Sequence, residues 1–138
     1  MQALKVSTLY AFLMGGETIK YFTRKMVTPK DLNAIGTLFG GRVLDWIDEE
    51  AYIYTTCQLN SMSVVTRSIG RINFISSAEY GDIIEIGMET TNIGKTSITI
   101  KATIRNMKTG KVITEVNDII FVNVKNGKPA PHGVTKCE

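Results

Sequence analysis

Cysteine, histidine, tryptophan and proline are scarce in this 138-residue chain, at two, one, one and three residues. Cys57 and Cys137 lie far apart, and Cys57 falls inside a helical pattern, so no disulfide framework is expected. With His132 as the single histidine and no clustered cysteines, a zinc or other transition-metal site lacks ligands. The same scarcity leaves no usable triad histidine, and no Gly-x-Ser-x-Gly elbow is present. The net charge of +3 is mild and scattered rather than gathered in a block, which gives no indication of nucleic-acid binding and is merely compatible with an anionic small ligand. The apolar run Val6 to Met14 behind Lys5 is too short to span a bilayer. Its length fits a secretory core, but Ser7 and Thr8 interrupt it, the charged leader is weak, and no clear small-residue cleavage pattern follows. A cytoplasmic chain is expected, with residues 1–16 as an N-terminal arm that packs on this or a neighbouring subunit.

What remains is ample for one domain, 17–138, with a short tail from about residue 129. A chain of this length buries about 68% of its unfolded surface without staples. Glu17 to Val27 reads as a strand stopped by Thr28-Pro29, and residues 30–39 read as loop. From Gly40 to about Leu59, Val43, Leu44, Ile47, Ala51 and Tyr54 recur at spacings of three and four, the stripe of an amphipathic helix. Four strands follow. They are Val64 to Phe74, Ile83 to Thr91, Thr96 to Asn106 and Val112 to Val124, with turns at Asn92-Ile93-Gly94-Lys95 and Lys108-Thr109-Gly110-Lys111. The third alternates Ile98, Ile100, Ala102 and Ile104 against polar neighbours, with period two. Strand, helix and four meandering strands make an α+β plan in which an antiparallel sheet wraps one helix. Trp46, Ile53 and Leu59 lie off the main stripe and the sheet has an open edge, so pairing of subunits is expected.

The most informative run is Asn33-Ala34-Ile35-Gly36-Thr37-Leu38-Phe39-Gly40-Gly41, continued by Leu44-Asp45-Trp46-Ile47-Asp48-Glu49-Glu50-Ala51. Paired glycines open a helix with its N–H groups bare and close to a ligand, a setting that favours negative charge. An embedded carboxylate two turns later could act as a base, so a reaction passing through an oxyanion is the first idea. On a helical wheel Asp48 and Glu50 occupy opposite shoulders of the stripe and Glu49 points away, so periodicity alone leaves Asp48 and Glu50 open. Asp45, nearer the helix start, suits a dipole partner. Thr66 and Ser68 share a strand face with Val64, Ile72 and Phe74, from which they can reach a carboxylate on the helix.

Residues 26–51, Met-Val-Thr-Pro-Lys-Asp-Leu-Asn-Ala-Ile-Gly-Thr-Leu-Phe-Gly-Gly and on through Trp46-Ile47-Asp48-Glu49 to Ala51, resemble the signature of hotdog-fold acyl-CoA thioesterases of the YciA and brain acyl-CoA hydrolase type. Val64-Val65-Thr66, Arg71-Ile72-Asn73-Phe74, Gly81-Asp82, Gly94-Lys95-Thr96-Ser97 and Phe121-Val122 with Gly127-Lys128-Pro129 continue the likeness over about residues 17–133. The resemblance implies a hotdog fold and hydrolysis of fatty acyl-CoA to free acid and coenzyme A, which belongs to the substrate, so no cofactor is implied. It places the catalytic acid on Asp48 and a partnering asparagine on Asn33, acting across a homodimer, with the backbone of Gly40 and Gly41 polarising the thioester carbonyl. Gly94, Lys95, Thr96 and Ser97 resemble the segment along the coenzyme A arm, and Lys95 and Arg71 are candidates for its phosphates. A trimer of dimers is implied as the assembly. Gly70, Asn73 and Ser77 depart from the usual acidic residue, aspartate and proline, on the strand beside the site. A hotdog dehydratase would need a histidine near the loop or helix, where His132 is poorly placed. A non-catalytic acyl-CoA-binding module or sensor is the alternative that thiol release distinguishes.

Overall fold

The computed structural model describes residues 19–135, so the expected arm at residues 1–16 lies outside the described residues. One helix is wrapped by a curled antiparallel sheet: β1 (Lys20–Met26), α1 (Gly40–Leu59), β2 (Val64–Ile69), β3 (Ile72–Phe74), β4 (Ile83–Ile93), β5 (Ser97–Asn106), β6 (Val112–Lys125) and β7 (Lys128–Pro129). The strand order is β1-β4-β5-β6-β2, with β3 and β7 also pairing with β6. Only β4, β5 and β6 form a true meander. β1 takes the other edge of β4, so β2 and β3 cross to the free edge of the 14-residue β6 instead of pairing with β4.

The core follows the sequence periodicities closely. Ile84, Ile86 and Met88 of β4 meet Ile98, Ile100, Ala102 and Ile104 of β5 and Val116, Ile119 and Phe121 of β6, all buried under the helix. The helix contributes Val43, Ile47, Ala51, Thr55 and Leu59, a row at spacing four inclined to its axis. Trp46 and Leu59, expected as leftover apolar surface, are buried because the sheet curls far enough to cover them; Lys25 of β1 stands over the Trp46 ring at 5.7 Å. Ile53 does stay exposed.

The expected strand from Val64 to Phe74 is broken. Gly70 and Arg71 interrupt it opposite the irregular stretch of β6 at Asn117-Asp118, where the Gly70 N–H donates to the Asp118 carbonyl at 2.7 Å. A side chain at Gly70 would stand 3.1–3.2 Å from Asp118 Cβ and O, so the close approach of the two strands favours a residue without Cβ here. Among the described residues no helix is long and apolar enough to cross a membrane.

Candidate active site

Thr28 to Leu38 is less of a free loop than its sequence suggests. Pro29–Asp31 forms a single 3₁₀ turn, and Asp31 accepts hydrogen bonds from the Thr28 N–H at 2.9 Å and the Thr28 hydroxyl at 2.8 Å. The Asp31 carboxylate also meets Arg42 Nε at 3.2 Å, and its carbonyl receives the Phe39 N–H at 2.8 Å. Burial pushes the Asp31 carboxyl up, but the two Thr28 bonds and the charges of Arg42 and Lys30 more than offset this and hold it below its ordinary value. Asp31 thereby ties the loop to the first turn of α1. Arg42 also reaches Asp45 at 3.6 Å, so Asp45 is an exposed ion-pair partner rather than a site group.

Asn33 sits in the loop that this tie closes, and its hydrogen bonds stay inside that loop. Its Oδ1 accepts the N–H groups of Ile35 and Thr37 at 3.1 and 3.0 Å, and its Nδ2 donates to the Thr37 hydroxyl at 2.9 Å. Both acceptor positions are occupied, and one Nδ2 hydrogen is left, so toward any ligand Asn33 can act only as a donor. Gly36 takes a left-handed φ of 83° at the turn this arrangement needs.

The helix opens at Gly40 behind an extended Phe39 whose side chain makes no capping bond. The Arg42 and Val43 N–H groups both go to the Phe39 carbonyl, which leaves the Gly40 and Gly41 amides as the donors of the first turn without a backbone partner among the described residues. The two glycines differ. A side chain at Gly40 would stand 3.3 Å from the Phe74 ring, whereas one at Gly41 would meet nothing within 4 Å. Packing within the chain therefore gives Gly40 a reason and Gly41 none.

The structure separates the two acids that periodicity left open. Glu50 faces β1, where it accepts a bond from the Thr23 hydroxyl at 2.7 Å and lines a groove of about 320 Å³ with Phe22, Tyr54, Cys57 and Met88. Asp48 faces β2, and Thr66 Oγ1 donates to its Oδ1 at 2.6 Å. Asp48 is exposed in the single chain, not embedded as expected, because among the described residues the sheet ends at β2, which pairs there only with β6. Ser68 does not share the face of Thr66. A bulge between them pairs Thr66 with buried Phe121 but Ser68 with Ile120, so Ser68 turns to the opposite side of the sheet. Arg71 is exposed in the gap between β2 and β3.

Gly94, Lys95, Thr96 and Ser97 form the β4–β5 turn, with the Gly94 N–H on the Ser97 carbonyl at 2.9 Å. His132 lies on this turn rather than loose in the tail. Its Nε2 is 3.0 Å from the Ser97 carbonyl and its Nδ1 accepts the Val134 N–H at 3.0 Å. A carbonyl only accepts, so Nε2 carries the proton. Asn123 clamps the same tail, donating to the Ala130 carbonyl at 3.0 Å while its Oδ1 accepts from Ser61. Sequence reasoning missed three of these groups: Asp31, His132 and Asn123. Thr28-Pro29-Lys30-Asp31 carries the spacing of a capping box and was a readable signal; the contacts of His132 and Asn123 have no local signature.

Comparison with known proteins gives a consistent result. The sequence profile of the thioesterase superfamily matches residues 35–113. An uncharacterized acyl-CoA thioester hydrolase of Buchnera aphidicola is 33% identical over 82 residues, 59% of this chain and 60% of that protein. The chain thus spans less than two thirds of that curated relative. Among solved structures, an apo-hexameric acyl-CoA thioesterase is 39% identical with a TM-score of 0.71, covering 83% of this chain and 73% of that one. The Staphylococcus aureus acyl-CoA hydrolase, solved with butyryl coenzyme A, coenzyme A and coenzyme A disulfide, is 27% identical with a TM-score of 0.73, covering 82% and 68%.

Proposed function

The chain belongs to the thioesterase superfamily, and from that premise we propose that it hydrolyses acyl-CoA to the free acid and coenzyme A at a site shared by two copies of the chain. The observation that carries this reading is the Thr66–Asp48 hydrogen bond at the open edge of the sheet. It fixes Oδ1 and leaves Oδ2 to address a water molecule or the thioester carbon. The names of the relatives and structural neighbours support the same chemistry.

Distance favours a second copy. Gly41 and Asp48 are seven residues apart on one helix, about 10 Å along its axis, while an oxyanion donor and a base must each lie about 3 Å from the reacting group. Two chains that meet at the site bring both groups close to the reacting carbonyl. Pairing β2 edge to β2 edge about a two-fold axis brings the helix start of one copy toward Asp48 of the other. Exposed Val65 and Met62 beside that edge are then covered. We propose further that such dimers assemble three at a time, as the hexameric neighbours suggest.

In this scheme the Gly41 amide, with Gly40 behind it, receives the developing oxyanion, and the remaining Asn33 N–H orients the water or the carbonyl. Asp48 takes the water proton as the water oxygen bonds the carbonyl carbon, or attacks that carbon directly to give an acyl–aspartate anhydride that water then cleaves to the free acid and the carboxylate. Collapse of the intermediate breaks the carbon–sulfur bond, and the thiolate leaves with a proton as coenzyme A. Thiolate is a good leaving group, so the scheme uses no cofactor. The Gly94–Ser97 turn with Lys95, and Arg71, hold the coenzyme A arm and its phosphates. A colorimetric thiol-release assay on a panel of acyl-CoAs tests the proposal. Release at enzymatic rates supports it; binding without release leaves a non-catalytic module and overturns it.

A further inference from the structure

The β4–β5 turn does not stand alone. A groove of about 400 Å³ runs between Ile93, Gly94 and Lys95 of the turn and Pro131, Val134 and Thr135 of the tail. Lys95 is exposed, and its ammonium has no ion-pair partner among the described residues. The two walls meet at one atom. The Ser97 carbonyl accepts the Gly94 N–H at 2.9 Å, which closes the turn, and the His132 Nε2–H at 3.0 Å, which draws the tail against it. A carbonyl oxygen has two acceptor positions, so both are filled. Val134 packs against the core and donates its N–H to His132 Nδ1 at 3.0 Å, which sets the ring with Nε2 toward Ser97. Asn123 holds the tail only as far as the Ala130 and Pro131 carbonyls, at 3.0 and 3.5 Å. Beyond them the His132 ring is the one side-chain link from tail to turn among the described hydrogen bonds. A long main-chain bond, His132 N–H to the Lys95 carbonyl at 3.3 Å, runs beside it.

We infer that His132 is a positioning residue for the coenzyme A arm: by joining tail to turn through the Ser97 carbonyl, it maintains the groove in which Lys95 meets the phosphates. The inference deepens the thioesterase reading and rests on it. The lining suits that end of the ligand. Ile93, Pro131 and Val134 offer apolar surface to a flat base, and Lys95 beside them offers a cation to phosphate. His132 itself does not touch the ligand. Both of its ring nitrogens are taken up inside the protein, so it acts through geometry. Without the link the tail also samples positions that leave the groove incomplete. Apparent affinity then falls by the fraction of molecules that still present the groove, and one ordinary hydrogen bond shifts such an equilibrium by about 3- to 10-fold.

The test is calorimetric binding of coenzyme A to the full chain and to His132→Gln, His132→Asn and His132→Ala. Glutamine carries an N–H at the reach of Nε2 and still donates to Ser97. Asparagine is one bond shorter and replaces only Nδ1, as acceptor for Val134. The parent and His132→Gln are expected to bind alike, while His132→Asn and His132→Ala bind about 3- to 10-fold more weakly. In steady-state kinetics with butyryl-CoA, those two variants raise KM by the same factor at unchanged kcat. With butyryl-N-acetylcysteamine, which lacks the nucleotide and its phosphates, kcat/KM is the same across the set, which separates holding the arm from general damage to the fold. Undiminished binding of coenzyme A by His132→Ala overturns the inference, as does a loss shared by His132→Gln or extending to the short thioester. Weaker binding by His132→Asn and His132→Ala, in a chain that cleaves no thioester, sinks the hydrolase reading and leaves the role of His132. Hydrolysis with equal affinities across the set does the reverse.

Discussion

Thr66 reaches from the edge strand β2 to the helix and donates a 2.6 Å hydrogen bond to Asp48, the only contact of that carboxylate with another side chain among the described hydrogen bonds and ion pairs. It joins an exposed acid to an unpaired sheet edge. An acid held in this way is oriented before any second copy or substrate arrives.

Asp48→Asn therefore separates catalysis from stability. The side chain is exposed and packs no core, so the melting temperature and assembly stay close to those of the parent. Thiol release falls by about 10²- to 10⁴-fold. Release at the parental rate would show that the acid has been misassigned.

Thr66→Val removes the positioning bond and keeps the shape. A hydrogen bond to a charged group is worth about 1.5–3 kcal/mol, so kcat drops on the order of 10- to 100-fold with KM little changed. Thr66→Ser restores most of it. If valine and serine behave alike in steady-state kinetics, the hydroxyl plays no part.

Gly41→Ala and Gly40→Ala differ in kind. Alanine at Gly41 meets open space in the chain and leaves the melting temperature close to that of the parent, yet it crowds the ligand side of the amides and lowers kcat/KM. Alanine at Gly40 moves the exposed Phe74 ring by a few tenths of an ångström and so acts through that ring rather than on the ligand side of the amides. Thermal melts read beside kcat/KM distinguish them, and a fully active Gly41→Ala would mean that no substrate approaches that amide.

Asp31→Asn tests the tie between loop and helix. Asp31 has its folded-state pKa lowered, so its contribution is present above the unfolded pKa near 3.9 and is lost as pH falls through the lower folded value. The stability gap between parent and variant is about 1–3 kcal/mol, constant from pH 5 to 8, and closes below about pH 4. Denaturant melts across that range measure it, and a gap that widens in acid contradicts the assignment.

Much of the fold was legible because its signals are local. The ends of α1 at Gly40 and Leu59 follow from the diglycine and the stripe, and β5 announces itself through Ile98, Ile100, Ala102 and Ile104. The face of Ser68 was misread because a bulge advances the register by one residue, and nothing in Thr66-Arg67-Ser68 marks it. Strand order, and with it the burial of Trp46 and Leu59, depends on which edges remain free after β1 has paired with β4. Thr114 reads in sequence as an ordinary strand former, and only packing shows its hydroxyl to be alone.

The sequence by itself determined the single domain, the helix with bare amides at its start, the period-two strands and a carboxylate on each shoulder of the stripe, since each depends on covalent spacing and backbone sterics over a few residues. The tertiary structure decided that Asp48 faces Thr66 while Glu50 faces Thr23, that the acid stands at an open edge, and that Thr114 is buried without a partner. Those outcomes depend on which distant strands share a ladder, and chain closure fixes that only when the whole sheet has curled around the helix.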